Sequence, residues 1–465
     1  MKNQKSTLDQ FNETDKLNSH ISYNDYKNMD YEQFEKIPAE WDVYKLKQIS
    51  DIFPSNVDKK EKEDEPTIYL CNYTDVYNNS EITPDLDFMK ATAKKSDIQK
   101  FRLEEGDVII TKDSEAWDDI GIPAYVAHTM DNVICGYHLT HLKPDASTII
   151  GKYLYYFLES EIGSHHFHAE ANGVTRYGIS INGIKEAPVT VPPKEEQKAI
   201  VQFVDRETHH IRNLIEQKEQ LIDLLEEKRT SLIDDVVTNG LEDDVEQKET
   251  GISWLGEIPK HWDIKRLKFC ANINPSHNEI NTKKSDTEVS FLPMECVSEQ
   301  GKIIQKETAI LNEVIDGYTY FKEGDILIAK ITPCFENGKG ALANGLKNRI
   351  GFGTTEFVVV RPFKELNNKY FHYITISDTF RKIGTGQMKG AAGQKRVPDE
   401  FFQNYPQVLP PKKEQIAIVE YLDRETQKID DLVSKIDEGI KRLKEYRTAL
   451  ITDVVTGQID VRGEV

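Results

Sequence analysis

Two stretches of this 465-residue chain are near copies of each other, and that duplication constrains the fold more than any other feature. PPKEEQKAIVQFVDRETHHIRNLIEQKEQLIDLLEEKRTSLIDDVVT, starting at Pro192, returns as PPKKEQIAIVEYLDRETQKIDDLVSKIDEGIKRLKEYRTALITDVVT, starting at Pro410, a shift of 218 residues. Upstream of each lies a second echo: IPAEWDVYKLKQISDIFPS from Ile37 and IPKHWDIKRLKFCANINPS from Ile258, shifted by 221 residues. The unit is a domain followed by a helix, present twice, and what lies between the echoes has diverged. A shared frame with two different variable parts suits a reader of two different things at a fixed separation, as operator symmetry mirrors protein symmetry.

The long copies have a heptad seam. Leu422, Ile429, Ile436, Leu443 and Leu450 recur every seven residues, with Val433, Ile440 and Val454 four residues after three of them. The first copy gives Val204, Ile211, Lys218, Leu225 and Leu232, with Ile215, Ile222 and Val236, a coiled-coil seam with one polar break at Lys218. Pro192-Pro193 and Pro410-Pro411 stand where a helix starts and suit its first turn, while Gly240 and Gly457 punctuate the far ends. About 43 helical residues extend about 65 Å. One such helix packs most simply on its own domain; two equivalent ones bury their stripes most simply against each other. The helix-pairing residues are therefore Val204, Ile211, Leu225, Leu232, Leu422, Ile429, Ile436, Leu443 and Leu450, in an antiparallel pair of spacers.

Between the echoes each unit mixes short β-rich runs with turns. DVIITK (107–112) and DILIAK (325–330) are apolar runs entered through Glu-Gly-Asp turns and read as buried strands ending in lysine. HLTHLKP (138–144) and EFVVVRP (356–362) read as strands closed by proline, and KYLYYFLES (152–160) and KYFHYITIS (369–377) as matching helices. The expected fold is mixed α/β: two globular domains joined by two long antiparallel coiled-coil helices, with a pseudo-twofold internal repeat. The expected boundaries are a polar arm over 1–20, a first domain over 21–191, a spacer helix over 192–240, an acidic linker over 241–257, a second domain over 258–409, a second helix over 410–457 and a tail over 458–465.

The formal charge of −20 is awkward for a nucleic-acid binder, since phosphate contacts need Lys and Arg. The acid is unevenly spread. Residues 37–192 carry 15 Lys and Arg against 26 Asp and Glu, residues 259–410 carry 21 against 17, and the linker carries one against six. The second domain has cations to spare, while the first must concentrate its few.

No apolar run approaches the roughly 18 residues of a membrane span, and the first residues have no apolar signal core, so a cytoplasmic protein is expected. The five cysteines (Cys71, Cys135, Cys270, Cys296, Cys334) form no CxxC pair, which argues against zinc and disulfides. The histidines of GSHHFHAE (His165, His166, His168) lack partners at ligand spacing and read as a helix end. There is no phosphate-binding glycine loop, no dinucleotide fingerprint, no HExxH and no Asn-Pro-Pro-aromatic motif. The chain is expected to bind and position, with no catalytic, cofactor or metal site of its own.

The two Trp-containing starts, the two PP-x-x-EQ-x-AIV helices with DRET, and the EKRTSLIDDVVT and EYRTALITDVVT ends resemble the specificity subunit of Type I restriction-modification systems. The resemblance covers nearly the whole chain from about residue 21. It implies that each globular domain is a target recognition domain reading one half of a bipartite, asymmetric site in double-stranded DNA. It also implies that the helices fix the spacing and dock two modification subunits. S-adenosylmethionine would belong to those subunits, which methylate adenine; ATP and Mg would belong to restriction subunits, whose presence is left open.

The family supplies no residue code for base reading. On physical grounds the DNA-binding candidates are Lys112, Arg176 and Tyr177 in the first domain, and Lys330, Asn337, Lys339, Gln394, Lys395 and Arg396 in the second. They sit at strand ends or in Gly-rich loops, where backbone approaches phosphate and these side chains reach base edges. Trp41 and Trp262 read as core. An acidic DNA mimic that inhibits restriction is the alternative, and a self-contained methyltransferase is a weaker one.

Overall fold

The computed structural model describes residues 22–31, 34–242, 244–280, 283–304, 306–391 and 393–464; the polar arm expected over 1–20 lies outside the described residues. The chain forms two compact units that do not coincide with the two repeats. Unit 1 takes Met1–Lys218 and Glu438–Val465, and unit 2 takes Glu219–Asp437. Each therefore holds one globular domain, the start of one long helix and the end of the other.

In unit 1 a five-stranded sheet is built from β1 (Ser50–Pro54), β2 (Glu81–Ile82), β3 (Val108–Thr111), β4 (Pro123–Val126) and β5 (Leu139–Pro144), in the order β1-β5-β3-β4-β2. Only β2 and β4 pair in parallel. A four-stranded sheet of Met89–Thr92, Thr67–Cys71, Met130–Cys135 and Arg102–Leu103 covers one side. This explains why β3 is apolar without alternation. Val108 and Ile110 enter the core shared with the helices, while Ile109 enters the core of the second sheet, so both faces are buried. The chain then forms α1 (Gly151–Glu159) and α2 (Lys194–Asn239).

Unit 2 repeats the plan with β6 (Ala271–Ile273), β7 (Ile326–Ala329), β8 (Gly340–Leu342) and β9 (Phe357–Pro362), in the order β6-β9-β7-β8. Along β7, Ile326 and Ile328 face the helices and Leu327 and Ala329 face the second sheet. Both central strands are entered through the same turn. Gly106 and Gly324 take φ of +97° and +87°, and Asp107 and Asp325 accept from the backbone N–H of Glu104 and Lys322, each at 2.8 Å. Helices α3 (Asn368–Ile376) and α4 (Lys412–Val455) complete the repeat.

The helices α2 and α4 run 46 and 44 residues. In unit 1, Ile200, Val204 and Ile211 of α2 share a core with Leu450, Ile451 and Val454 of α4. In unit 2, Ile233, Val236 and Val237 share one with Ile418, Val419 and Leu422. The start of one helix meets the end of the other in both, so the pairing is antiparallel. Val204, Ile211, Leu422, Ile429 and Leu450 are buried, and Leu225, Leu232, Ile436 and Leu443 half-buried, whereas the neighbouring Leu224 is 61% exposed. The polar break at Lys218 is met by Gly439: an added Cβ there would stand 3.5 Å from Nζ.

One expectation is corrected. The prolines are not the first turn of the helices: the Pro193 and Pro411 carbonyls accept from the Gln197 and Gln415 N–H, which makes each an N-cap. The strand Pro188–Val191 ends two residues before Pro193, leaving the chain to turn there. Within the acidic linker Gln247–Glu249 pairs with Glu257–Pro259, and Trp254 stacks on Tyr405 at 5.7 Å. In the C-terminal segment Ile459 and Val461 are buried in the unit 1 core.

The PP-x-x-EQ motif proves to be a seat for the helix. Gln197 Oε1 accepts from Ile150 N–H at 2.8 Å, and its Nε2 donates to the Thr148 and Pro192 carbonyls at 3.0 and 2.9 Å. Gln415 repeats this with Asn367 N–H at 2.7 Å and the Glu365 and Pro410 carbonyls at 3.0 and 2.8 Å. The aspartates of DRET bind the short helices: Tyr156 donates to Asp205, and Tyr373 donates to Asp423 at 2.7 Å. Trp41 and Trp262 are buried. Among the described residues no helix is long and apolar enough to cross a membrane.

Candidate nucleic-acid interface

Each central strand is followed directly by a lysine whose backbone is latched to the same two places. In unit 1 the Lys112 N–H donates to the His138 carbonyl, and its carbonyl accepts from Ile179 N–H, both at 3.0 Å. In unit 2 the Lys330 N–H donates to Glu356 at 2.9 Å, and its carbonyl accepts from Val397 N–H at 2.8 Å. All three positions recur at the shift of 218. The latch ties the strand end to the variable loop before the closing helix, which places residues distant in sequence on one surface.

In unit 1 that loop is a hairpin, Asn172–Gly173 pairing with Tyr177–Gly178, which in turn pairs with Asp113–Ser114. Val174 at its tip is 90% exposed. Arg176 donates from Nε to Asp113 Oδ1 at 2.9 Å and pairs with the same oxygen through Nη2, which also lies 2.9 Å from His138 Nδ1. Tyr177 is half-buried against the core. Lys112 is turned into the domain: its ammonium donates to the Ser55 carbonyl at 2.6 Å, and burial lowers its pKa.

In unit 2 the strand end and the loop 389–397 are held together by bridges from Arg396 to Ile331 and Lys389 and by the Lys395 carbonyl, which accepts from Thr332 N–H at 3.0 Å. Arg396 forms a fork on Glu356, with Nε to Oε2 at 2.9 Å and Nη2 to Oε1 at 2.8 Å. That hydrogen bonding holds the Glu356 carboxyl below its ordinary range. Asn337 donates to Glu299 at 2.9 Å. Gln394 and Lys395 are exposed, Lys330 and Lys339 half-buried, and none of the four makes a side-chain hydrogen bond or close ion pair with a described residue. The second unit thus gathers all six of its candidates around one strand end, and the first gathers Arg176 and Tyr177.

Sequence reasoning missed the partners. Asp113, His138 and Glu356 were hidden because a side-chain contact across 38 or more residues has no local signal. One clue lies in the backbone: His138 is a non-glycine residue at φ +75°. Its ring lies 3.9 Å from that of Tyr137, which is 46% exposed and stands over the Lys112 ammonium. Elsewhere, His166 contacts the Gly183 carbonyl and His168 packs on Trp117, so the histidine cluster is divided. Among the described residues no group of His, Cys, Asp and Glu could hold a metal, and the five cysteines are free. A cavity of about 820 Å³ in unit 2 is lined by Lys302, Lys306, Lys369 and His372 among others, but Lys302 and Lys369 are paired with Asp430 and Asp423, and Lys306 donates to the Gly345 carbonyl.

Residues 38–226 and 259–442 match the family model described as the Type I restriction modification DNA specificity domain, together most of the chain. The EcoAI specificity subunit of Escherichia coli is 46% identical over 165 residues, 35% of this chain, and the EcoEI specificity subunit is 44% identical over the same share. The chain spans only 28% and 27% of the length of those two relatives. The putative MjaX specificity subunit of Methanocaldococcus jannaschii is 24% identical over 94% of this chain and 98% of its own. Two solved structures share the fold at 16% identity and 91% coverage of this chain. One, on the complex assembly and conformational transition of the type I R-M system, has a TM-score of 0.66 over all of its chain. The other, the HsdS subunit from Thermoanaerobacter tengcongensis, has 0.50 over 98% of its chain.

Proposed function

Because this chain belongs to the family of Type I restriction-modification DNA specificity domains, we propose that it chooses the DNA site for a modification complex. Each unit reads one half of a bipartite, asymmetric sequence, and the paired helices set the separation. The observation that carries this reading is the duplicated latch: one backbone device presents two different loops, one in each unit. Half-sites about one helical turn apart suit two such heads on one duplex.

The chain itself is non-catalytic in this reading. Two modification subunits dock on the helices, bind S-adenosylmethionine and receive the flipped adenine, and restriction subunits with ATP and Mg act where present. A chain of net charge −20 leaves many phosphate contacts to those partners, so alone it binds DNA weakly. An acidic decoy fits less well, because residues 259–410 carry more Lys and Arg than Asp and Glu.

Exchanging residues 259–410 for another recognition domain, then sequencing methylated adenines genome-wide, tests the proposal. One half of the methylated motif should change and the other should stay. A change in both halves, or no dependence of methylation on this chain, defeats it.

A further inference from the structure

The arginine of each variable loop is already paired with a carboxylate, and the two pairs are not copies of one another. The latch positions recur at a shift of 218, but under that shift Arg176 corresponds to Gln394, Asp113 to Ile331, and Arg396 to Gly178. A guanidinium–carboxylate pair has been rebuilt at the same place from residues that duplication did not supply. Stability gives little reason for that: the arginine side chains are 53% and 45% exposed, where solvent and salt screen an ion pair. In unit 1 the arrangement is kept together with a left-handed His138, a conformation that costs energy and gathers at functional sites.

We propose that Asp113 and Glu356 are specificity-determining residues that hold Arg176 and Arg396 as screened, pre-oriented readers of the DNA. This inference rests on the DNA-recognition function proposed above. The planar fork that engages a carboxylate also engages guanine O6 and N7. While paired, the arginine charge is neutralised toward phosphates, which suppresses binding to arbitrary sequence. Exchange becomes favourable where the base edge accepts both arginine donors and the freed carboxylate also finds a donor. Cytosine N4 is such a donor, so the Arg396–Glu356 pair is matched to a G·C pair in the second half-site.

The test uses the full chain assembled with its modification subunits. Glu356→Gln, Arg396→Ala and the double variant are titrated with a duplex carrying the methylated motif and with one whose second half is scrambled, across a salt series. Glu356→Gln should tighten binding to the scrambled duplex, steepen the slope of log K against log salt by about 0.9, and narrow the specificity ratio about tenfold. Arg396→Ala should weaken binding to the motif about tenfold, and the double variant should lose the gain on scrambled DNA. Asp113→Asn should do for the first half-site what Glu356→Gln does for the second, which keeps the test alive if one variant fails to assemble. An unchanged ratio in both carboxylate variants, with methylation of the motif intact, overturns the inference alone. A wild-type complex that prefers no motif overturns the proposed function with it.

Discussion

The Tyr153 hydroxyl lies within hydrogen-bond reach of two backbone carbonyls, Thr190 at 3.0 Å and Val455, 302 residues further along the chain, at 3.2 Å. Tyr370 donates to the matching carbonyl of Val237 at 3.1 Å. Each globular domain therefore grips the end of the long helix that starts in the other repeat, while its glutamine seat grips the start of its own. The repeats are interlocked by exchanged helix ends.

The two tyrosines should not be equally sensitive. The Val455 carbonyl also accepts from Thr190 Oγ1 at 2.7 Å, so it stays satisfied in Tyr153→Phe. Tyr370→Phe removes the side-chain donor to Val237 and should destabilise unit 2 by about 1–3 kcal/mol. Urea unfolding of the two variants should show the larger loss for Tyr370→Phe, and equal losses would contradict this account.

The two buried seat glutamines carry three hydrogen bonds each. Gln415→Ala strips partners from Asn367 N–H and two carbonyls, with an expected loss of about 2–4 kcal/mol. Gln197→Ala should cost a similar amount in unit 1. A midpoint in denaturant within error of wild type for either variant would show that these bonds do not hold the helix to its domain.

The terminal glycines differ in the space behind them. Both are left-handed, Gly240 at φ +84° and Gly457 at φ +74°. A Cβ at 457 would lie 2.4 Å from the Pro38 ring, but one at 240 would lie 3.0 Å from the Trp262 ring. Gly457→Ala should therefore cost about 2–4 kcal/mol and Gly240→Ala about 1–2 kcal/mol. Thermal unfolding that ranks them the other way would refute the packing argument.

His372 gives unit 2 an acid sensitivity. The ring is buried with Nδ1 unpartnered, and desolvation, with Arg381 and Lys369 nearby, pushes its pKa down to about 4. The unfolded ring titrates near 6.5. Above that pH both states are neutral and the stability is fully present. As pH falls the unfolded chain takes up the proton first, so stability declines from about pH 6.5 down to about 4, by roughly 3 kcal/mol. His372→Phe should flatten that part of the stability profile; an unchanged slope would assign the loss to other groups.

Much of the fold was legible because it is written in local periods. The heptad residues Leu422 to Leu450 announced the seam, Pro362 and Pro144 closed the expected strands, and the Glu-Gly-Asp turns before Val108 and Ile326 were visible as turn chemistry. What stayed hidden depends on tertiary partners. A period shows that Leu450 is buried, not that it shares a core with Ile200 of the other helix. Lys112 looked like a free cation because nothing near it in sequence announces the Ser55 carbonyl. The clustering of Lys330, Asn337 and Arg396 could be anticipated from strand-end position, but the carboxylates opposite the arginines could not.

Unit 2 is one uninterrupted stretch, Glu219–Asp437, inserted within unit 1. Leu450, Ile451, Val454 and Ile459, which finish the unit 1 core, leave the ribosome only after all of unit 2 has emerged. The domain made first is thus the one completed last, and during translation its apolar seat must wait, uncovered, for residues still to be synthesised.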